Sequence, residues 1–192
     1  MQSPCSNSNS SHSSHRQDRH HNSHRRRILR FPQAEGLRPT PDRVKETLFN
    51  WLGQDLAGLA CLDAFAGSGA LGFEAASRGA RRVVMLEAAR APCEALRGNA
   101  VQLGLAGVDI HCSEALGWMR SSREKFDVIF LDPPFDAGLI PPALEAAAGC
   151  LGPGGRVYVE WDAPVAPGPF WTVLRQGQAG RSHFALLERS PC

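Results

Sequence analysis

The stretch Asp132-Pro133-Pro134-Phe135 places a carboxylate, two prolines and an aromatic ring directly after the apolar run 126–131. These residue types suit the methylation of an exocyclic nucleobase amine, which is a poor nucleophile because its lone pair is delocalised into the ring. If the Asp132 carboxylate and the Pro133 carbonyl accept the two amine hydrogens, the nitrogen becomes pyramidal and its lone pair can point at a sulfonium methyl group. The prolines stiffen the loop, and Phe135 can stack on the base, which must leave any helix to reach it.

A glycine-rich turn lies upstream, between the apolar segment 59–64 and a helical segment. Gly67, Gly69 and Gly72 fit the spacing GxGxxG, and Glu87 follows twenty residues after Gly67. Glycines let the backbone approach a ligand, and the next helix N-terminus offers N–H groups to an anion. An acid at the end of the second strand accepts from ribose hydroxyls. The pattern predicts a nucleotide-like cofactor, and it fits NAD as well as S-adenosylmethionine.

Two further acids favour S-adenosylmethionine over NAD. Asp63 stands at the end of the first strand, where its carboxylate would lie near the ammonium of a methionine moiety. A dinucleotide has no comparable cation to place there. Glu114 follows the third strand and could accept from the adenine amino group, although it could equally be an acid in the first turn of its helix.

Two other classes of protein compete with an amine methyltransferase. An NAD-dependent oxidoreductase would need a catalytic Lys, Tyr or His near the strand ends, whereas Tyr158 is the only tyrosine and stands within a predicted strand. An inactive RNA-binding module is disfavoured by the intact Asp132-Pro133-Pro134-Phe135 stretch. Within the same chemistry, adenine N6 and DNA remain alternative targets.

The elements that must position these residues alternate along the chain. Strands are predicted near 59–64, 82–87, 107–112, 126–131 and 155–161, and helices near 70–78, 90–102, 114–120 and 139–150. This alternation predicts an α/β fold with a mainly parallel sheet and helices on both faces. Segments 170–175 and 182–188 resemble consecutive strands without a helix between them, which predicts a C-terminal antiparallel hairpin.

The N-terminal part has a different composition. Residues 1–24 are rich in Ser, His, Asn and Arg without hydrophobic periodicity, so we expect a disordered tail. Residues 25–192 form the predicted domain, which starts with a basic strand and a helix (25–53). Thr40 suits the N-cap of that helix and Pro41 its first position. Residues 1–50 contain nine Lys or Arg against four Asp or Glu, a footprint suited to phosphate backbones.

The six cysteines are scattered without a CxxC pair or zinc-like spacing, which predicts reduced thiols, no metal and no disulfide. No segment reaches the roughly 18 apolar residues of a membrane span, and the N-terminus does not resemble a signal peptide. We therefore expect a cytoplasmic protein.

Two blocks of the sequence closely resemble the RsmD family of class I methyltransferases. They are Gly36-Leu37-Arg38-Pro39-Thr40-Pro41-Asp42-Arg43-Val44-Lys45-Glu46-Thr47-Leu48-Phe49-Asn50-Trp51-Leu52 and the segment 62–72 around the glycine turn. The resemblance runs from about residue 25 to 188. It implies a Rossmann-like fold with a seven-stranded sheet and the methylation of a guanine N2 amine in 16S rRNA. A monomer acting on an assembling small subunit is the expected form.

The resemblance also implies roles for individual residues. It assigns the cofactor to Asp63, Phe65, Ala66, Gly67, Gly69, Glu87, Glu114, Ala115 and Thr40, and the target guanine to Asp132, Pro133, Pro134 and Phe135. Arg26, Arg27, Arg30, Arg38 and Arg43 are the expected RNA contacts. The chain departs from the family pattern at residues 22–27, which replace a Gly-rich basic hairpin, and at Glu114, where the family usually has Asp or a similar residue.

Overall fold

A mixed β-sheet with helices on both faces makes up residues 42–134, 138–164 and 166–191, which this computed structural model describes. Its strands are β1 (Ala60–Asp63), β2 (Arg82–Glu87), β3 (Val108–Cys112), β4 (Phe126–Leu131), β5 (Leu151–Trp161), β6 (Trp171–Ala179) and β7 (Ser182–Arg189). Its helices are α1 (Asp42–Leu52), α2 (Ala70–Ser77), α3 (Arg90–Leu103), α4 (Ala115–Ser121) and α5 (Ile140–Cys150).

The strand order is β3-β2-β1-β4-β5-β7-β6. Strands β1 to β5 are parallel, and β7 is antiparallel to both of its neighbours. The predicted Rossmann-like sheet with a C-terminal antiparallel hairpin is confirmed. The carboxyl ends of all five parallel strands consequently lie at one edge of the sheet, which we call the carboxyl edge.

The core lies in two layers, one on each face of the sheet. Successive strand residues point to opposite faces, so Leu62 and Ile129 pack with α4 and α5, while Cys61 and Phe130 pack with α1, α2 and α3. The central strands are almost completely buried, which explains why they read as continuous apolar runs. The prediction of helices on both faces is confirmed.

Strand β5 starts four residues earlier than its sequence suggests. The segment 152–155 has the composition of a turn, Gly-Pro-Gly-Gly, yet it belongs to the strand. The pairing with β4 shifts register between Phe126 and Val128, and glycines accommodate such an irregularity.

The prediction of reduced cysteines is wrong for one pair. Cys93 on α3 and Cys112 at the end of β3 form a disulfide with a Cα–Cα distance of 5.7 Å. They stand 19 residues apart without a recognisable motif, so only the packing of α3 against β3 reveals the pair. Cys61 and Cys150 are buried free thiols. Burial, more than the neighbouring carboxylates, raises the pKa of Cys61 to about 12.

Several predictions concern residues outside the described part of the chain. These are the tail 1–24, the basic strand, Thr40, Phe135 and four of the arginines, Arg26, Arg27, Arg30 and Arg38. Among the described helices, none is long and apolar enough to cross a membrane.

Candidate active site

The candidate site lies at the carboxyl edge, where β1 meets β4. Asp63 ends β1 and pairs in register with Phe130, and the Ala64 N–H donates to the Phe130 carbonyl at 3.1 Å. The segment that starts at Asp132 therefore begins beside the end of β1. In open α/β sheets the crevice at such a point, where the strand order changes direction, binds the ligand.

The glycine turn is held in place by backbone hydrogen bonds. The Ala66 N–H donates to the Leu86 carbonyl at 2.9 Å, and the Gly69 N–H donates to the Ala66 carbonyl at 2.6 Å. Gly69 precedes α2 with a φ of 84°, a left-handed conformation that favours glycine. A Cβ at this position would lie 2.5 Å from the ring of Phe73, so a side chain cannot be accommodated without a shift.

Asp63 is a buried carboxylate with few compensating charges. It is 2% exposed and accepts a hydrogen bond from the Gly72 N–H at 2.9 Å. Burial raises its pKa to about 7, the charge of Glu87 adds to that rise, and the N–H groups of Gly72 and Phe65 oppose it. A cation placed beside Asp63 would offset the burial, so the site fits the ammonium of a methionine moiety.

Glu87 connects the glycine turn with the loop that follows β2. One carboxylate oxygen accepts from the Gly67 N–H at 3.1 Å and the other from the Ala89 N–H at 2.8 Å. Each carboxylate oxygen can accept a second hydrogen bond. Glu87 is half-buried, so it can hold both loops and still accept from a ribose hydroxyl.

Glu114 is the N-cap of α4. Its carboxylate accepts from the Leu116 N–H at 2.8 Å and from the Gly117 N–H at 2.6 Å. Capping satisfies helix N–H groups that lack an intrahelical partner. These two hydrogen bonds support the interpretation of Glu114 as an acid at the start of its helix. The other interpretation, a contact between Glu114 and adenine, stays a prediction. Ala115, the first residue of α4, is buried.

The Asp132-Pro133-Pro134 segment leaves the sheet directly after β4. Asp132 is half-buried, Pro133 buried and Pro134 exposed. The charge of Asp132 reaches Tyr158 on β5: the pKa of Tyr158 is raised well above its usual value, first by burial, then by Glu160 and Asp132. Asp132 follows Leu131, the last residue of β4 paired with β5, so it lies at the end of both strands and at the same edge as Asp63.

Sequence reasoning missed a buried polar cluster beside this junction. Glu160 is 3% exposed and accepts from the Tyr158 hydroxyl at 2.8 Å and from the Ser182 hydroxyl. Extending the β4–β5 register from Leu131 and Val159 places Glu160 next to Asp132. The one signal in the sequence was that Glu160 is an acid directly after the apolar residues 157–159. Its partner Ser182 on β7 could not be found without the fold.

The remaining described positions are less informative about a ligand. Arg43 is exposed at the start of α1. Among the described residues, no three His, Cys, Asp or Glu side chains are grouped where they could hold a metal ion.

Comparison with known proteins assigns the chain to a family. The family model described as Conserved hypothetical protein 95 matches residues 22–188. The chain belongs to this family. It is 37% identical over 171 residues to ribosomal RNA small subunit methyltransferase D of Escherichia coli K12, which covers 86% of each protein. It is 38% identical over 172 residues to the protein of the same name in Haemophilus influenzae, which covers 85% of this chain and 89% of that one.

A solved structure gives the same result. The "putative methyltransferase yhhF" of Escherichia coli superposes with a TM-score of 0.72 at 34% identity, covering 80% of this chain and 88% of that one. The resemblance to the RsmD family, based on the segment 36–52 and the glycine turn, is confirmed.

Proposed function

We propose that this chain transfers the methyl group of S-adenosylmethionine to the N2 amine of a guanine in small-subunit rRNA. The observation that carries the proposal is the juxtaposition, at one edge of the sheet, of the buried Asp63 carboxylate with the Asp132-Pro133-Pro134 segment. The first suits a cofactor with an ammonium group, and the second suits an amine nucleophile.

The protein's part in the reaction is to orient the two reactants. S-adenosylmethionine supplies an electrophilic methyl group and a sulfur that leaves with the bonding electron pair. The Asp132 carboxylate and the Pro133 carbonyl accept the two hydrogens of the amine and align its lone pair, and Asp132 is placed to take the proton that the new N–C bond releases. Positioning and electrostatics of this kind contribute up to about 7 to 11 kcal/mol in the best intramolecular cases.

The cofactor side of the site is assigned to residues at the ends of β1 and β2, in the glycine turn and at the start of α4. Asp63, Gly67 and Gly69 would hold the methionine part, Glu87 the ribose and Glu114 the adenine edge. Phe65, Ala66, Ala115 and Thr40 are the other proposed cofactor contacts. The hydrogen bonds of Glu87 to the backbone support this assignment, because they set the shape of the turn that must face the ligand.

Family membership supports rRNA as the substrate, since the two relatives above are named as small-subunit rRNA methyltransferases. The expected RNA contacts are Arg26, Arg27, Arg30, Arg38 and Arg43. We further propose a monomer that acts in the cytoplasm on an assembling small subunit. An NAD-dependent oxidoreductase is not favoured, because Tyr158 is buried and its hydroxyl already donates to Glu160.

Mass spectrometry of small-subunit rRNA from a strain without this protein tests the proposal. Loss of one N2-methylguanine, restored by the wild-type chain and not by Asp132→Ala, is expected. Loss of an N6-methyladenine instead would select the alternative target. Calorimetry with S-adenosylmethionine and NADH tests the cofactor, and binding of NADH alone would contradict the methyltransferase assignment.

A further inference from the structure

A cavity beside the Asp132-Pro133-Pro134 segment is lined mainly by residues that have no role in the proposed reaction. It has a volume of about 220 Å³ and lies between Pro133 and Pro134, the start of α5 and the described residues at the end of β5 and just after it. Its walls include Pro133, Pro134, Ile140, Leu144 and Trp161. Pockets for drug-sized ligands are larger, about 300 to 1,000 Å³, so this cavity suits a single ring system.

The cavity borders the proposed target site, because Pro133 belongs to both. Among the described residues, its lining includes Pro133 and Pro134 but neither Asp63 nor Asp132. Phe130 packs on the face of the sheet that carries α1 to α3, and Asp132 follows it by two residues, whereas Trp161 packs on the face that carries α5. The cavity thus shares the wall formed by Pro133 and Pro134 with the target site, and Asp132 is not among its described lining residues.

Trp161 gives the cavity an aromatic wall. It is the last residue of β5 and half-buried, and it packs against the core layer that contains α5. His183 on β7 is its direct cross-strand partner. Because His183 alternates with Ala185 and Leu187, which belong to the same core layer, its side chain lies on the same face as Trp161.

The charges around the cavity favour a base over a phosphate inside it. Asp162 is exposed and lines the cavity, so its carboxylate would repel a phosphate but can accept from an exocyclic amine. The turn between β6 and β7 carries the exposed Arg181, two residues before His183 and therefore at the carboxyl edge. A cation there suits a phosphate outside the cavity.

We propose that this cavity holds the nucleobase adjacent to the target guanine, stacked on Trp161. The proposal rests on the proposed function. When a base leaves its stack to be methylated, the neighbouring base loses a stacking partner, and an aromatic side chain replaces it at low cost because every base has a π-face. Trp161 is thus a residue that binds the RNA next to the target guanine, and it does not contact the reacting atoms.

The test compares Trp161→Leu and Trp161→Phe in the full-length chain. The substrates are S-adenosylmethionine and small-subunit particles from a strain without this enzyme. Trp161→Leu keeps an apolar side chain but no ring, and we expect the KM for the particles to rise about 5- to 100-fold. In Trp161→Phe, which keeps an aromatic ring, the KM should rise much less. The affinity for S-adenosylhomocysteine, measured by calorimetry, should not change in either variant.

Phe170→Leu is the matched control. Phe170 is 74% exposed and precedes Trp171, which pairs with Arg189 at the opposite end of the hairpin from Trp161. The KM of Phe170→Leu for the particles should equal that of the wild type. An unchanged KM in Trp161→Leu, with wild-type protein fully active, would overturn the stacking role alone. Inactive wild-type protein would instead contradict the proposed function.

A crosslink identifies which base occupies the cavity. We expect Trp161→p-benzoylphenylalanine to crosslink, on irradiation, to the nucleotide next to the methylated guanine, as mapped by primer extension. A crosslink to the methylated guanine itself would show that the cavity is the target site and would overturn the proposal. Absence of any crosslink to RNA would overturn it as well.

Discussion

The buried carboxyl group of Asp63 should make cofactor affinity depend on pH. Its pKa is raised to about 7, mainly by burial, so in the free protein at pH 7 about half of the molecules carry a proton there. The ammonium of a bound cofactor favours the ionised form and lowers this pKa. Binding of the cofactor at pH 7 should therefore release on average about half a proton per molecule, and cofactor affinity should fall as the pH is lowered.

The magnitude follows from the ionised fraction. With a pKa of about 7, about three quarters of the Asp63 groups are ionised at pH 7.5 and about one tenth at pH 6. If only the ionised form binds the ammonium, the Kd rises about eightfold over that range. This factor corresponds to about 1.2 kcal/mol of binding free energy.

The assay is titration calorimetry with S-adenosylhomocysteine in buffers of different ionisation enthalpy, which counts released protons directly. Methylthioadenosine shares the adenosine and sulfur but lacks the amino-acid part, so its Kd should not follow the ionisation of Asp63. Asp63→Asn should bind S-adenosylhomocysteine more weakly at pH 7.5 and lose the pH dependence. Glu87→Gln is the control that should weaken binding and keep a pH dependence, moved to slightly lower pH because the charge of Glu87 no longer raises the pKa of Asp63.

The stability of the free protein should depend on pH in the opposite direction to cofactor affinity: ionisation of Asp63 strengthens binding but destabilises the folded protein without its cofactor. A folded-state pKa above the unfolded value of 3.8 gives stability that is present below about pH 4 and lost as pH rises through about 7. Asp63→Asn should therefore raise the free energy of unfolding at pH 8, by at most about 4 kcal/mol at about 1.4 kcal/mol per pKa unit.

In the binding assay, an equal pH dependence for S-adenosylhomocysteine and methylthioadenosine would refute the assignment of Asp63 to the ammonium.

Three further predictions concern other parts of the site. Asp132→Asn should lower kcat by about 100-fold or more, with little change in the Kd of S-adenosylhomocysteine, because it removes a charge that faces the amine. Gly69→Ala should lower the free energy of unfolding by about 1 to 3 kcal/mol and weaken cofactor binding, because of its positive φ and the close side chains. Reduction of the Cys93–Cys112 disulfide should lower the free energy of unfolding by about 3 kcal/mol, a typical value for a loop of this length.

Each of these has its own control. Single-turnover kinetics separates the chemical step of Asp132→Asn from product release, and a wild-type rate would contradict the orienting role. Gly98→Ala is the partner of Gly69→Ala: it lies within α3 with no atom within 4 Å of the added Cβ, so it should be stabilising. Alkylation of Cys93 and Cys112 without reductant, followed by mass spectrometry, would contradict the disulfide if both thiols reacted.

The sequence by itself determined the parts of this protein that depend on local pattern. Short strand-like segments of six or seven residues between helical segments predicted the parallel sheet, and the turn after β1 was recognisable from Gly67 and Gly69. The acids at strand ends, Asp63 and Asp132, were also recognisable, because the carboxyl ends of parallel strands share one edge. These features follow from residue type and spacing alone.

The tertiary structure decided what depends on partners far apart in the chain. Cys93 meets Cys112 only because α3 packs on β3, and Glu160 finds the hydroxyl of Ser182 only because β7 lies beside β5. Glu114 could be an adenine contact or a helix cap until its two hydrogen bonds to α4 were seen. The sequence indicates only that Trp161 belongs to a strand. The strand register places it opposite His183, and together with Pro133 it lines the cavity. Such contacts are set by strand order and register, which spacing within one segment does not encode.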